Sequence, residues 1–201
     1  MTLPLIGFLL AAVIPVFFGK IRSAPVWLCL QAIMLGWNGF AHHADFSSHA
    51  ILALVEVTVV RVCLAPLLLR STIRRRAEVN LDLMPSNLFA WIVATALIAL
   101  SFQFGEAASS PDAFTLGVVG ATVMIALLIL STNDSPPAQL VALLFMENAL
   151  ALFESLLPEP WPLPVHAALG AVYILTVGVG NWLLATRSVA VPVLEKKKDA
   201  P

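Results

Sequence analysis

Seven apolar stretches run through this 201-residue chain with short polar gaps between them. Each is close to the ~20 residues that a helix needs to cross a bilayer. They fall at 2–19, 24–41, 48–69, 85–104, 113–132, 138–157 and 165–186. Hydrocarbon offers no partner to a backbone N–H or C=O, so only helices and closed barrels can occupy it. The alternating segments that mark a barrel strand are absent. The chain therefore reads as an all-α polytopic membrane protein with seven transmembrane helices. The first apolar run, MTLPLIGFLLAAVIPVFFGK, has no basic residues ahead of it and reads as a retained span, not a cleaved leader.

Composition agrees. Hydrophobic residues make up 60% of the chain and charged residues 11%, against about 45–50% and about 25% in soluble domains. No soluble domain fits: residues 1–187 form one membrane domain, and 188–201 a basic cytoplasmic tail. A net charge of −1 leaves no footprint for nucleic acid. Cys29 and Cys63 both lie in apolar stretches and read as packing residues, not as a disulfide or zinc framework.

The basic residues orient the bundle. Lys20 and Arg22 occupy the first gap, Arg70, Arg74, Arg75 and Arg76 the third, and Arg187 with Lys196, Lys197 and Lys198 the C-terminal end. The intervening gaps hold none. Basic loops stay cytoplasmic, so seven spans with the N-terminus outside and the C-terminus inside put every loop base on one side. The expected location is a bacterial cytoplasmic (inner) membrane.

Four ionisable residues fall inside spans: Glu56 and Arg61 in the third, Glu147 and Glu154 in the sixth. Each charge at mid-membrane costs about 2.5–3.5 kcal/mol on insertion scales, so such residues pair or line a wet path. Three acids against one base favour a proton path. At a rise of about 1.5 Å per residue, Gln31, Arg61 and Glu147 share a central layer. Glu56 lies about 7 Å and Glu154 about 10 Å further out, in a second layer. At helical spacing Glu147 and Glu154 share a face, with Asn148 beside it, whereas Glu56 and Arg61 lie about 140° apart. The expected arrangement pairs Arg61 with Glu147, leaves Glu154 less compensated and ready to exchange protons, and turns Glu56 towards another helix or a partner subunit. Pro66, five residues after Arg61, is expected to kink its helix and free a carbonyl beside this layer.

Other signals are weaker. His42, His43, Asp45 and His49 cluster on an outer loop, but their spacing fits no metal template. Asn38 and Asn181 read as interhelical hydrogen-bonders, and Trp27, Trp91, Trp161 and Trp182 as interfacial anchors. Gly117, Gly120, Gly170, Gly178 and Gly180 read as sites of close helix packing. No nucleotide loop or nucleophile–base set occurs, and no cofactor is expected.

The segment Phe145-Met146-Glu147-Asn148-Ala149 resembles a motif of the hydrogenase-4 component E family. Arg61-Val62-Cys63-Leu64-Ala65-Pro66 resembles that family's third span, and Gln31 in LCLQAIML its second. The last three spans, 113–186, are more distantly similar to the K subunit of respiratory complex I. The resemblance implies a subunit without redox cofactors, beside antiporter-like subunits in an assembly that couples a soluble reaction to ion movement. It places Glu147 at the proton-path position. The basic residue is arginine here where related chains carry lysine, which makes Arg61 a fixed counter-charge and not a proton carrier. Glu56 and Glu154 lie outside the matched motifs, and the seventh span has no carboxylate.

Three readings compete. The first is a non-catalytic subunit of a complex-I-like assembly, with Glu147, Glu154, Arg61, Glu56, Gln31 and Asn148 in a proton path. The second is a structural linker in which the charges only hold helices together. The third is a stand-alone seven-span ion transporter.

Overall fold

The computed structural model describes residues 2–42, 48–74, 82–84, 88–107, 112–157 and 161–195. The described residues form helices, with no strand among them apart from an isolated bridge between Lys20 and Asp82. The helices are α1 (Leu3–Phe18), α2 (Ala24–His42), α3 (Ser48–Glu56), α4 (Ala65–Ile73), α5 (Leu88–Ala107), α6 (Ala113–Thr132), α7 (Pro136–Glu154) and α8 (Leu163–Glu195). A π-helical segment, Val57–Leu64, joins α3 to α4 without a break.

Among the described residues, five rods are long and apolar enough to cross a membrane: Ile51–Ile73, Leu88–Glu106, Ala113–Thr132, Pro136–Glu154 and Leu163–Thr186. Several apolar helices of this length make the chain a multi-pass membrane protein. The other two helices fall short for different reasons. At 16 residues, α1 spans about 24 Å, less than the ~30 Å hydrocarbon core. The 19 residues of α2 are diluted by Gln31, Asn38 and His42. In the other direction, α8 is 33 residues long, and residues 188–195, assigned to the tail on sequence grounds, continue the helix. No glycine stands between Arg187 and Glu195 to stop it.

One end of the bundle is tied by its gaps. Leu83 donates its N–H to Gly19 O at 3.2 Å. Asn133 donates to the carbonyls of Asp82 and Leu83 at 3.2 and 3.0 Å. The first, third and fifth gaps thus meet, and buried Leu83 and Met84 plug the space between them. Phe17 and Phe18 set their rings against Trp91 near the same end. The remaining basic stretches, Arg75–Arg76 and Lys196–Lys198, lie outside the described residues.

The core is aliphatic and small-residue rich. Its larger cluster runs from Leu28, Leu69 and Ile73 through Ile125 and Ile129 to Leu144, Phe145 and Tyr173. Small residues set the closest approaches. A Cβ at Gly117 would meet Phe102 at 2.5 Å, and one at Gly180 would meet Leu140 at 2.6 Å. Gly178, expected to do the same, faces open space. The face of α8 carrying Ile174, Leu175, Val179 and Trp182 is exposed, as suits contact with lipid. Cys63 is exposed as well, so it is not the packing residue its sequence context suggested.

Candidate functional site

Arg61 is 4% exposed although it sits in the middle of an apolar rod. Four groups surround its guanidinium. Its Nε donates to Glu56 Oε1 at 2.9 Å. Nη1 donates to Asn148 Oδ1 at 2.9 Å and to the backbone carbonyl of Glu147 at 3.3 Å. The ring of Tyr173 lies under the cation, 4.2 Å from Cζ to the centroid. Hydrogen bonds to a charged group contribute about 1.5–3 kcal/mol each, and a desolvated cation–π contact about 2 kcal/mol. Together these offset the insertion cost of about 2.5–3.5 kcal/mol for the arginine.

This corrects the expected pairing. Arg61 forms its ion pair with Glu56, and reaches Glu147 only at the main chain. The 140° separation assumed α-helical spacing. Between Val57 and Leu64 the ladder is i→i+5, which brings residues five apart onto one face. Glu56 therefore turns onto its own helix for its ion pair, while its side chain packs against Gly170 of another helix, α8, as expected. Pro66, buried at the start of α4, supplies the cause. Its ring displaces the carbonyl four residues back, and the chain absorbs this as a widened stretch, with Ala65 N–H bonded to Val60 O.

Asn148 is the junction. It is wholly buried on α7, accepts from Arg61, and donates through Nδ2 to Gln31 Oε1 of α2 at 2.9 Å. One amide thus ties α2, the π segment and α7. Gln31 Nε2 and Tyr173 OH, both in fully buried residues, have no hydrogen-bond partner among the described residues. Glu147, one position earlier on α7, turns towards α8, where Thr176 donates to its Oε1 at 2.7 Å. The expected central layer of Gln31, Arg61 and Glu147 is assembled, with Asn148 as its link.

The second layer differs from expectation. Glu154 is not left uncompensated: His166 Nδ1 of α8 stands 3.1 and 3.2 Å from its two oxygens. Sequence reasoning did not join His166 to Glu154. The available signal was one acid and one histidine flanking a short turn between antiparallel helices. Nearby, Asn38 Nδ2 donates to Ser155 Oγ at 3.4 Å, an interhelical bond as anticipated. The buried Asn181 Oδ1 has no hydrogen-bond partner among the described residues.

The acids converge on one stripe of α8. Glu154 meets His166, Glu56 lies beside Gly170, Arg61 covers Tyr173 and Glu147 meets Thr176. A Cβ at Gly170 would come 3.5 Å from Glu56 Cγ, so the missing side chain makes room for that acid. The steps of four, three and three residues are those of one helical face. From His166 to Thr176 the stripe covers about 15 Å.

No group of three or more metal-ligating side chains converges among the described residues. His43 and Asp45, and the side chains of His42 and His49, lie outside them. Compared with known proteins, the chain matches no family model, no curated sequence and no solved structure.

Proposed function

We propose that this chain is a non-catalytic membrane subunit of a complex-I-like assembly of the hydrogenase-4 type. In this reading it crosses the cytoplasmic (inner) membrane seven times, N-terminus outside. It links antiporter-like subunits and contributes Glu147, Glu154, Glu56, Arg61, Gln31 and Asn148 to a proton path. One observation carries the reading: a charged and hydrogen-bonded network joins four helical rods in the bundle interior. Such groups are costly in a bilayer and are kept where protons or ions move. The resemblance of the segments around Arg61 and Glu147 to the component E family supplies the class of assembly. The meeting of the first, third and fifth gaps at one end supports the alternating topology. Arg61 holds its charge at every accessible pH, so it acts as a fixed counter-charge, while the carboxylates exchange protons.

A structural clamp is the second reading, favoured by the four groups that hold Arg61. Replacing both Arg61 and Glu56 by leucine separates the two: a clamp tolerates an apolar pair, whereas a proton path loses its counter-charge and its coupling. Isolation of the tagged full-length chain from its native membrane tests the assembly itself. Antiporter-like subunits should co-purify; a chain recovered alone from mild detergent would point to the stand-alone transporter.

A further inference from the structure

Two features of the α7–α8 junction are unused by the reading above. His166 is 12% and Glu154 14% exposed, no more than Glu56 at 14%; what sets the pair apart is its place, with Glu154 ending α7 and His166 in the first turn of α8, at one end of the bundle. The pair also heads the α8 stripe that meets two further half-buried acids, Glu56 and Glu147, in turn. Of the titratable and charged groups, Glu154 of α7 contacts His166, and one turn further along α8, at Gly170, lies Glu56 of α3 with its partner Arg61.

We infer that His166, paired with Glu154, is the outer proton-exchange station of the chain and feeds Glu56 and the Arg61–Asn148–Glu147 network along the α8 stripe. The inference rests on the proton-path reading and adds its mouth. The step is balanced: an imidazolium gives its Nδ1 proton to a Glu154 oxygen, the N–H bond breaking as the O–H bond forms, to leave a neutral imidazole and a carboxylic acid. Once Glu154 has passed that proton inward and is a carboxylate again, uptake of one proton by the neutral ring restores the imidazolium and reloads the pair. Net charge is unchanged within the pair, so the transfer suits a low-dielectric site. A histidine is the side chain whose proton exchanges most readily across physiological pH.

The test uses the purified full-length chain in lipid nanodiscs. Hydrogen–deuterium exchange at the buried carboxyls is followed through the infrared C=O stretch from about pH 5 to 8. Glu154→Gln, Glu56→Gln and Glu147→Gln assign the bands. His166→Asn keeps a hydrogen-bonding group near the position of Nδ1 but carries no exchangeable acid, and its unfolding temperature reports whether the fold survives. Exchange at Glu56 and Glu147 should slow by about a hundredfold in His166→Asn, the scale of a lost general acid–base group, and should lose its pH dependence. Unchanged inner exchange in a folded His166→Asn would overturn the inference alone. Absence of any exchangeable carboxyl at both Glu56 and Glu147 would overturn it together with the proton path.

Discussion

The replacement of Arg61 discriminates most sharply between the observed network and the one expected from α-helical spacing. The Arg61–Glu56 separation is 2.9 Å, which at an effective dielectric of about 20 gives an attraction of about 6 kcal/mol. Desolvation consumes part of it, and removal of one member of a buried pair costs about 3–5 kcal/mol. Arg61→Leu and Glu56→Leu should each lower stability by about 3 kcal/mol, because each strands a buried charge. The double variant should cost little more than either single one, a coupling of about 2–3 kcal/mol. Arg61 combined with Glu147→Gln should couple by about 1 kcal/mol or less, since its hydrogen bond goes to the backbone carbonyl that glutamine retains. Unfolding in mixed micelles at increasing SDS fraction, followed by circular dichroism, measures all of these. Coupling to Glu147 equal to or larger than coupling to Glu56 would refute the π-helical register and restore the cross-helix pair.

Four further single substitutions have expected outcomes. Asn148→Ala strands Gln31 Oε1 and an Arg61 N–H and should cost about 2–4 kcal/mol in the same unfolding assay; adding Gln31→Leu should recover part of the loss. Thr176→Val removes the 2.7 Å bond to Glu147 and should cost about 1 kcal/mol, without altering the helical content seen by circular dichroism. Gly105→Ala presses a Cβ onto the Ala113 carbonyl and should destabilise the α5–α6 hairpin by about 1–3 kcal/mol. Gly178→Ala, in open space, should stay within about 0.5 kcal/mol.

The helices were legible because hydrophobic length and polar gaps are local properties. The expected stretch 113–132 coincides with α6, and the others shift by a few residues at their ends, except α8, whose continuation past Thr186 has no hydropathy signal. The common level of Gln31, Arg61 and Glu147 along the bundle was legible for the same reason: rise per residue places them together without any knowledge of packing. Azimuth was not. It depends on the helical register, and Pro66 changes that register upstream of itself, so the angle between Glu56 and Arg61 followed the wrong ladder. Cross-helix partners were hidden too. Tyr173 and Thr176 look unremarkable on α8 until its stripe is set against α7, and Gly170 gains meaning only from the acid beside it. Asn148 looked like a neighbour of the important residue; the bonds it makes to two other rods show it to be the junction.

The most direct test of the proton-path account is the number of protons moved per turnover of the coupled soluble reaction. It is read in sealed membrane vesicles carrying the assembled complex with either the native chain or Glu147→Gln. Glutamine keeps the acceptor for Thr176 but cannot ionise, so assembly and turnover should persist while proton movement falls to the background of uncoupled vesicles. Proton movement per turnover equal to the native value in Glu147→Gln would show that Glu147 does not carry the proton.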